Sequence, residues 1–503
     1  MNLATAGAVR RAREIGIRKA AGASRAQLVG QFLTEAFLVS VIAMAVALSL
    51  VELAVEPFGA FLGYDLNLWP EWGPMMAVAI VLLVALTGLL AGSYPAFYLA
   101  SFGPVRALNG QVAPRHASAS LRKVLVVFQF AASIALLIAT VTVYRQVQFG
   151  RSIDLGFDRE QIVYINPSGI GGEQWETLKR QWLSNRNVTH VTGSDSVPFM
   201  PNTNSTTVNV EGGASQGSSM KFLRVDFDFF KTYGIDVVAG REFSNQFGTD
   251  RSAAGGADGW RTDALMLNEA GARQLGFKPT EIVGKQLEVV PPKLRGIVVG
   301  VARDVYFQSL HTSIEPTVYW VSALPLTDAS LRITGRNIRE TLAHIDSTWS
   351  KVVPDLPVSS RFLDDDFDAL YRAEQRQTTL LTFSSLLAIL IACLGLFGLT
   401  SYSTQSRIRE IGVRKAMGGT LWDIVAVFMK DLGRLILVAN IVAWPVTYYL
   451  MERWLAGFAY RIDVGIVVFL ASALVSLLVA CGTAGIVAWQ AARRPAADAL
   501  RYE

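Results

Sequence analysis

Apolar residues in this chain gather into six long stretches, Phe32–Val55, Met75–Tyr94, Val124–Tyr144, Leu380–Tyr402, Leu432–Met451 and Val464–Ala488. A bilayer core roughly 30 Å thick takes about 20 residues of helix, because buried backbone groups must pair with one another. Each stretch therefore predicts a membrane span. Between the third and the fourth, over residues 145–379, the pattern changes to that of a folded α+β domain. Ile162–Ile165, Thr206–Val210, Leu265–Leu267, Ile297–Val301 and Thr317–Val321 read as strands from β-branched or alternating residues. Asn268 suits the N-cap of a helix running to Leu275, and Ile338–Val352 has helical spacing. The Gly- and Ser-rich stretches Gly212–Ser219 and Ser252–Gly259 read as exposed loops.

Charge gives the spans a direction. The loop after the first span carries Glu56, Asp65 and Glu71 without Lys or Arg, whereas the next loop carries Arg106, Arg115, Arg122 and Lys123 without an acid. Arg407, Arg409, Arg414 and Lys415 precede the fifth span, and Arg493, Arg494 and Arg501 follow the sixth. The positive-inside rule then predicts both termini in the cytosol and residues 145–379 outside. Trp69, Trp72, Trp454 and Tyr460 would sit at the outer interface, Trp422 and Trp489 at the inner one.

Composition fits lipid as part of the solvent: 503 residues, 51% hydrophobic, net charge +5. The basic residues lie in the loops just described, so nucleic acid is not an expected partner. No signal-peptide pattern precedes the basic run from Arg10 to Arg25. Cys393 and Cys481 fall inside apolar stretches and suggest neither a disulfide framework nor a metal site. Gly88 and Gly92, four apart, would let two helices approach closely; ordinary glycine tolerance is an equal alternative. No span has an ionisable residue at its middle, which disfavours a proton relay or ion path.

Self-comparison finds a duplicated block. Arg13-Glu14-Ile15-Gly16-Ile17-Arg18-Lys19-Ala20 recurs as Arg409-Glu410-Ile411-Gly412-Val413-Arg414-Lys415-Ala416, followed by Gly22 in one copy and Gly418 in the other. The same register runs on through Phe32 and Phe428 to Glu35 and Asp431. Each copy precedes a pair of spans, and each pair ends in a related tail, Pro104-Val105-Arg106-Ala107-Leu108 or Pro495 through Ala499-Leu500-Arg501. Each block suits a short interfacial helix, with Glu14 and Arg18, or Glu410 and Arg414, in the favourable order for an i,i+4 pair and Gly22 or Gly418 at its end. A topogenic charge cluster needs only Lys and Arg; repetition of the Glu, Ile and Gly positions points to a docking surface.

These blocks and tails resemble permeases of the FtsX/MacB type, the mechanotransmitting branch of ABC transporters. The resemblance extends to the outer segment through Val225-Asp226, Phe229-Phe230, Gly240-Arg241-Glu242-Phe243, Leu267-Asn268-Glu269-Ala270, Gly284-Lys285, Val298-Val299-Gly300-Val301 and Phe362 through Tyr371. It implies a polytopic α-helical membrane protein with a two-lobed α+β extracytoplasmic domain: a porter-like lobe built from both ends of the segment, and a second lobe inserted around Asn202 to Leu324. Its layout would be a coupling segment 1–31, two spans in 32–95, a cytosolic linker 96–123, a span 124–144, the periplasmic domain 145–379, a span 380–402, a second coupling segment 403–431, two spans in 432–488 and a tail 489–503. Against the family pattern, the first repeat is expected to lack its amino-terminal part.

The resemblance also implies that Arg13, Glu14, Ile15, Gly16, Arg18, Lys19 and Gly22, with Arg409, Glu410, Ile411, Gly412, Arg414, Lys415 and Gly418, contact a cytosolic ABC ATPase. ATP would be bound by that partner and no cofactor by this chain, since Gly284-Lys285 is followed by Gln286 and Pro279 stands where a phosphate loop needs glycine. No catalytic constellation is expected. The family pattern leaves open a homodimer or pairing with another permease, a periplasmic adaptor, and a role in lipoprotein, peptide or drug extrusion or in envelope regulation. The alternative reading is an ATP-independent membrane sensor or scaffold with a ligand-binding outer domain.

Three remaining features read as structural. His116, His190, His311 and His344 are dispersed, without ligand spacing. Gly169-Ile170-Gly171-Gly172 reads as a turn. Asp364, Asp365, Asp366 and Asp368 suit a solvated cap better than a calcium site.

Overall fold

The structure is a computed structural model, and it describes residues 17–62, 73–100, 116–166, 170, 172–200, 202–211, 217–250, 261–308, 310–322, 326–406, 417 and 421–492. Two compact units emerge. One comprises Met1–Val143, Arg376–Glu452 and Val464–Glu503; the other comprises Tyr144–Gln375 together with Arg453–Asp463.

The first unit is helical. Among the described residues six helices are long and apolar enough to cross a membrane: α1 (Arg25–Leu62), α2 (Pro74–Ala100), α3 (His116–Ser152), α10 (Arg372–Ser406), α11 (Leu421–Leu455) and α12 (Ile466–Ala492). The helices outrun the apolar stretches that announce them. α3 continues eight residues beyond Tyr144, and α10 begins eight residues before Leu380, about 12 Å of additional helix in each case. Apolar length marks where lipid is, whereas the backbone stays helical as long as its carbonyls and amides pair along the axis.

α3, α10, α11 and α12 surround one core in which Ile134, Ile138, Ala392, Ile436, Ala439 and Ala480 are buried. α1 and α2 pair with each other, and Leu38, Val39, Ile42, Val81 and Leu82 remain exposed as a lipid-facing surface requires. The four-residue glycine spacing is a contact: a Cβ added at Gly92 would lie 2.7 Å from Ala36 Cβ, and one added at Gly88 would lie 3.2 Å from Phe37 Cα.

The second unit is α+β. Its strands are β1 (Ile162–Ile165), β2 (Val188–Ser194), β3 (Ser205–Val210), β4 (Ser218–Val225), β5 (Val237–Gly240), β6 (Arg261–Asn268), β7 (Gln286–Val290), β8 (Leu294–Ala302), β9 (Thr317–Val321), β10 (Asp328–Ile333) and β11 (Ser360–Phe362). The helices between them are α4 (Gly172–Leu183), α5 (Phe229–Tyr233), α6 (Glu269–Gln274), α7 (Pro279–Ile282), α8 (Ile338–Val352) and α9 (Leu363–Leu370).

Strand pairing divides this unit into two lobes. The order β11-β1-β10-β2 is antiparallel throughout and comes from the two chain ends, with α4 linking β1 to β2 and α8 linking β10 to β11. This is a split βαβ arrangement. Every residue of β1 is buried, because Val163 and Ile165 face the cluster containing Leu178, Trp182, Ile345 and Trp349, while Ile162 joins a second cluster. The two buried indoles are satisfied: Trp182 Nε1 donates to the Ile345 carbonyl at 3.3 Å and Trp349 Nε1 to the Leu356 carbonyl at 2.8 Å.

The inserted lobe closes on itself. β4 pairs β3, β3 pairs β7, β7 pairs β8, β8 pairs β6, β6 pairs β9, and β9 returns to β4 in parallel register. Val208, Met220, Leu265, Leu287, Val289, Val298, Val318 and Trp320 fill its interior. Alternation serves both sides: Val318 and Trp320 of β9 point into this core, while Tyr319 and Val321 join Phe229, Phe230, Tyr233 and Phe367 in the second cluster.

One loop expectation changes here. Of the Gly212–Ser219 stretch, residues 212–216 lie outside the described residues, while Ser218 and Ser219 belong to β4 and pair with Val208 and Thr207 of β3; a neighbouring edge overrides weak strand propensity. The Ser252–Gly259 stretch lies outside the described residues. Asp364, Asp365 and Asp366 of the acidic run fall in the first turn of α9, where carboxylates suit the positive end of a helix. Arg159 reaches Asp364 at 3.5 Å, and Arg151 reaches Asp368 at 3.0 Å. Burial, opposed by Arg159 and aided by the neighbouring acids, holds the Asp364 carboxyl above its ordinary range.

Candidate functional site

Three places in the structure are built for contact or transmission. The first is the described part of the amino-terminal block. Residues 17–20 are helical, and Gly22 ends that turn with φ +96°. The Ala23 amide donates to the Arg18 carbonyl and the Gly22 amide to the Lys19 carbonyl, each at 3.0 Å. This double bond pattern closes a helix on a left-handed residue. α1 then starts with a reciprocal cap: the Ser24 amide donates to Gln27 Oε1 at 2.9 Å, and the Gln27 amide to Ser24 Oγ at 3.3 Å.

Arg18 is drawn to α1 as well, donating from Nη1 to Gln31 Oε1 at 2.6 Å, while Gln31 Nε2 donates to Glu35 Oε1 at 3.2 Å. The turn thus places Arg18, Lys19 and Gly22 beside the start of the span, with Ile17 exposed. Arg13, Glu14, Ile15 and Gly16, and all of Arg409, Glu410, Ile411, Gly412, Arg414, Lys415 and Gly418, lie outside the described residues.

The second place is a polar seam between α3 and α10. Thr140 Oγ1 and Ser385 Oγ are 2.8 Å apart, and Thr140 also donates to the Leu136 carbonyl. Lower on the same faces, Gly395 makes room for the carboxamide of Gln129: an added Cβ would meet its oxygen and would sit 3.2 Å from its Cδ. Between apolar helices in lipid, the Thr140–Ser385 pair and the steric fit of Gln129 over Gly395 fix register, because a shifted helix would lose the one and clash at the other.

The third place was not anticipated from the sequence. The hairpin between α11 and α12, residues 453–463, belongs to the outer unit. It packs on the loop that leads from β8 to β9. The amides of Ala459 and Tyr460 both donate to the Leu310 carbonyl, at 2.9 and 3.2 Å. Gln146, near the outer end of α3 and 2% exposed, clamps the hairpin from the other side. Its Nε2 donates to the Tyr460 carbonyl, and its Oε1 accepts from the Ile462 amide, both at 3.0 Å.

Tyr306 and Tyr460 meet edge to face at 4.8 Å, and the Tyr460 hydroxyl lies 3.4 Å from the Ile314 amide. His311 stacks on Phe458 with centroids 4.0 Å apart. Gly150 of α3 closes the cluster, since a Cβ there would lie 2.8 Å from the Tyr371 ring. Tyr460 and Trp454 read as interfacial anchors in the sequence; in the structure Tyr460 contacts the domain loop, and Trp454 packs on Phe458 at 4.9 Å. The one feature of the sequence that hints at a folded hairpin is the short, aromatic Trp454-Leu455-Ala456-Gly457-Phe458-Ala459-Tyr460 run between two spans, which does not say what the hairpin touches.

The loop that receives the hairpin also lines a crevice with Ser196, Asn202, Lys221, Asn268, Thr312 and Glu315 on its walls. Its polar groups are engaged: Asn268 accepts from the Gly271 and Thr317 amides and donates to the Glu315 carbonyl, and Asn202 donates to the Phe222 carbonyl. No group of three or more His, Cys, Asp or Glu placed to hold a metal occurs among the described residues.

Comparison with known proteins accords with this division. A family model for the FtsX-like permease C-terminal region matches residues 1–104 and 382–496, and a model for the MacB-like periplasmic core domain matches residues 124–351. The macrolide export ATP-binding/permease protein MacB of Salmonella choleraesuis is 36% identical over 301 residues, which cover 56% of this chain and 43% of that protein. The protein of the same description from Rhodopirellula baltica is 31% identical over 113 residues, covering 22% of this chain and 15% of the relative. This chain therefore spans less than half the length of either. The crystal structure of the periplasmic region of MacB from Actinobacillus actinomycetemcomitans aligns over 42% of this chain and 92% of its own at 12% identity, with a TM-score of 0.30.

Proposed function

Since this chain is a membrane permease of the FtsX/MacB type, we propose that it is the subunit through which a separate cytosolic ABC ATPase moves the extracytoplasmic domain. The observation that carries this reading is the continuity of α3 and α10. Each is one unbroken helix with residues in both units, and in this reading it carries an axial or tilting displacement from one to the other. The polar seam at Thr140 and Ser385 supports their acting as a pair.

At the inner side the ATPase would dock on the two duplicated blocks, one of which closes at Gly22 and leaves Ile17 uncovered. No Asp, Glu, Lys or Arg lies in the middle of any of the six spans, which favours work delivered outside over conduction through the bilayer. The cargo would accordingly be engaged by the outer domain, in extrusion of a lipoprotein, peptide or drug or in regulation of an envelope enzyme.

The test is co-purification of the ATPase with the wild-type chain and with Arg18→Glu and Arg414→Glu, each in lipid nanodiscs. Charge reversal is expected to abolish association and stimulated ATP hydrolysis while thermal unfolding of the permease stays within about 1 kcal/mol of wild type. Unchanged association in both variants would refute the docking role. Thiol labelling of Arg18→Cys and Arg414→Cys from one side of the membrane checks the sidedness on which it depends.

A further inference from the structure

His311 sits where three segments of the outer unit meet. Its Nδ1 lies 2.9 Å from the carbonyl oxygen of Gly457 in the hairpin, and its Nε2 lies 3.0 Å from Glu374 Oε1 in the first turn of α10. The Gly457 carbonyl can only accept, and so can Glu374 as long as it is a carboxylate. A neutral imidazole carries a single N–H, so it can satisfy one of them and must turn a lone pair toward the other. Both contacts are hydrogen bonds at once only in the imidazolium. The stack on Phe458 at 4.0 Å favours the same state, because a ring face attracts a cation. With 42% of its side chain exposed, His311 can exchange protons with the external solution, while Glu374 is 15% exposed.

We propose that His311 is a protonation-dependent clasp that, as an imidazolium, fastens the hairpin between α11 and α12 to the first turn of α10 and so to the outer domain. Deprotonation breaks one of the two bonds and leaves the hairpin held by Gln146 and the Leu310 carbonyl. Each element packed in this cluster brings a titratable group. Glu374 is on α10, Tyr371 at the end of α9, Tyr306 on the receiving loop, and Tyr460 on the hairpin. Burial, with Glu374 adding to it, pushes the Tyr371 phenol up to about 12, and burial with Tyr460 raises that of Tyr306. Those two phenols stay neutral through the range in which imidazole changes charge, so Glu374 is the counter-charge that meets the ring.

The clasp stands on the outer unit alone and does not depend on an ATPase. It is tested on the full-length chain in lipid nanodiscs without one, by hydrogen exchange of the segments 456–462 and 306–314 at about pH 5.5 and about pH 8. After correction for intrinsic exchange rates, wild-type protection is expected to be about three- to tenfold greater at the lower pH, a charge-assisted bond discounted for exposure. His311→Gln should be flat at the lower protection. Glu374→Gln should be flat at the higher protection, because its amide can donate to the bare nitrogen of a neutral ring. Equal wild-type protection at both pH values overturns the proposal, as does a pH response that survives in His311→Gln or is undiminished in Glu374→Gln.

Discussion

Arg18 and Gln31, thirteen residues apart, are joined by a 2.6 Å hydrogen bond across the turn that separates the amino-terminal block from the first span. Gln31 continues the link to Glu35, the acid that recurs as Asp431 in the second repeat. The bond is possible because the chain reverses between Gly22 and Ser24. A block that entered α1 as one straight helix would place Arg18 more than three turns, about 20 Å, from Gln31.

Gly22→Ala isolates that reversal. The position has φ +96° and nothing within 4 Å of an added Cβ, so the substitution adds backbone strain and no clash. A cost of about 1 kcal/mol is expected, paid within the turn. Association with the ATPase should fall several-fold while the six-helix unit melts as before. Gly22→Asn, which tolerates the left-handed region better, should fall between the two; equal association for all three would show that the turn geometry does not matter for docking.

Gly92 tests the α1–α2 pair. Gly92→Leu would drive a side chain into Ala36 and Leu33, and overpacking of this kind costs about 1–3 kcal/mol. A disulfide between cysteines placed across the pair should form more slowly in Gly92→Leu. Gly92→Ala with Ala36→Gly moves the same methyl group to the opposite helix and is expected to restore the wild-type rate. A glycine merely tolerated in the membrane would show neither effect.

Much of this architecture was legible in the chain. Six spans follow from apolar length alone, and the Asn268 cap from one side chain whose Oδ1 accepts from the Gly271 amide. Strands with strong β-branched character, such as Ile162–Ile165 and Thr317–Val321, match the structure residue for residue. β2, β4, β5, β7, β10 and β11 escaped because their identity depends on pairing with other strands, several far along the chain: Thr192 of β2 pairs with Ser330 of β10, and Phe222 of β4 with Val318 of β9. The hairpin contact was hidden for the same reason. Gln146 and Tyr460 are separated by 314 residues, and no local pattern distinguishes a clamping glutamine from one at a membrane surface.

Asp328, beside the bridge between the two lobes, gives a pH signature of its own. Burial, aided by the charge of Asp195, raises its carboxyl to about 7. The folded state therefore holds a proton that the unfolded chain, with the ordinary value of 3.8, releases. By linkage, stability falls as pH rises from about 4 to about 7 and is level above that window. Asp328→Asn removes the titration. It should be more stable than wild type by about 2 kcal/mol at pH 8, less than the full shift implies because the site is partly hydrated. At pH 4 the gain should vanish, as chemical denaturation of the outer domain within the full-length chain would show.

Gln146 separates a pH-independent anchor of the hairpin from the His311 clasp. Its carboxamide supplies one donor and one acceptor to the backbone of residues 460 and 462, in the manner of a neighbouring strand. Gln146→Leu keeps the volume and leaves the Tyr460 carbonyl and the Ile462 amide without those partners, a loss of about 2–4 kcal/mol if both are stranded from water. Gln146→Glu keeps the acceptor for Ile462 but turns an oxygen toward the Tyr460 carbonyl, so it should be at least as damaging. In both variants hydrogen exchange of residues 456–462 is expected to rise at every pH by a similar factor, with the response assigned to His311 still visible on top of it. Loss of that response together with the protection would mean that the hairpin leaves the domain as soon as Gln146 lets go, and that His311 never holds it alone.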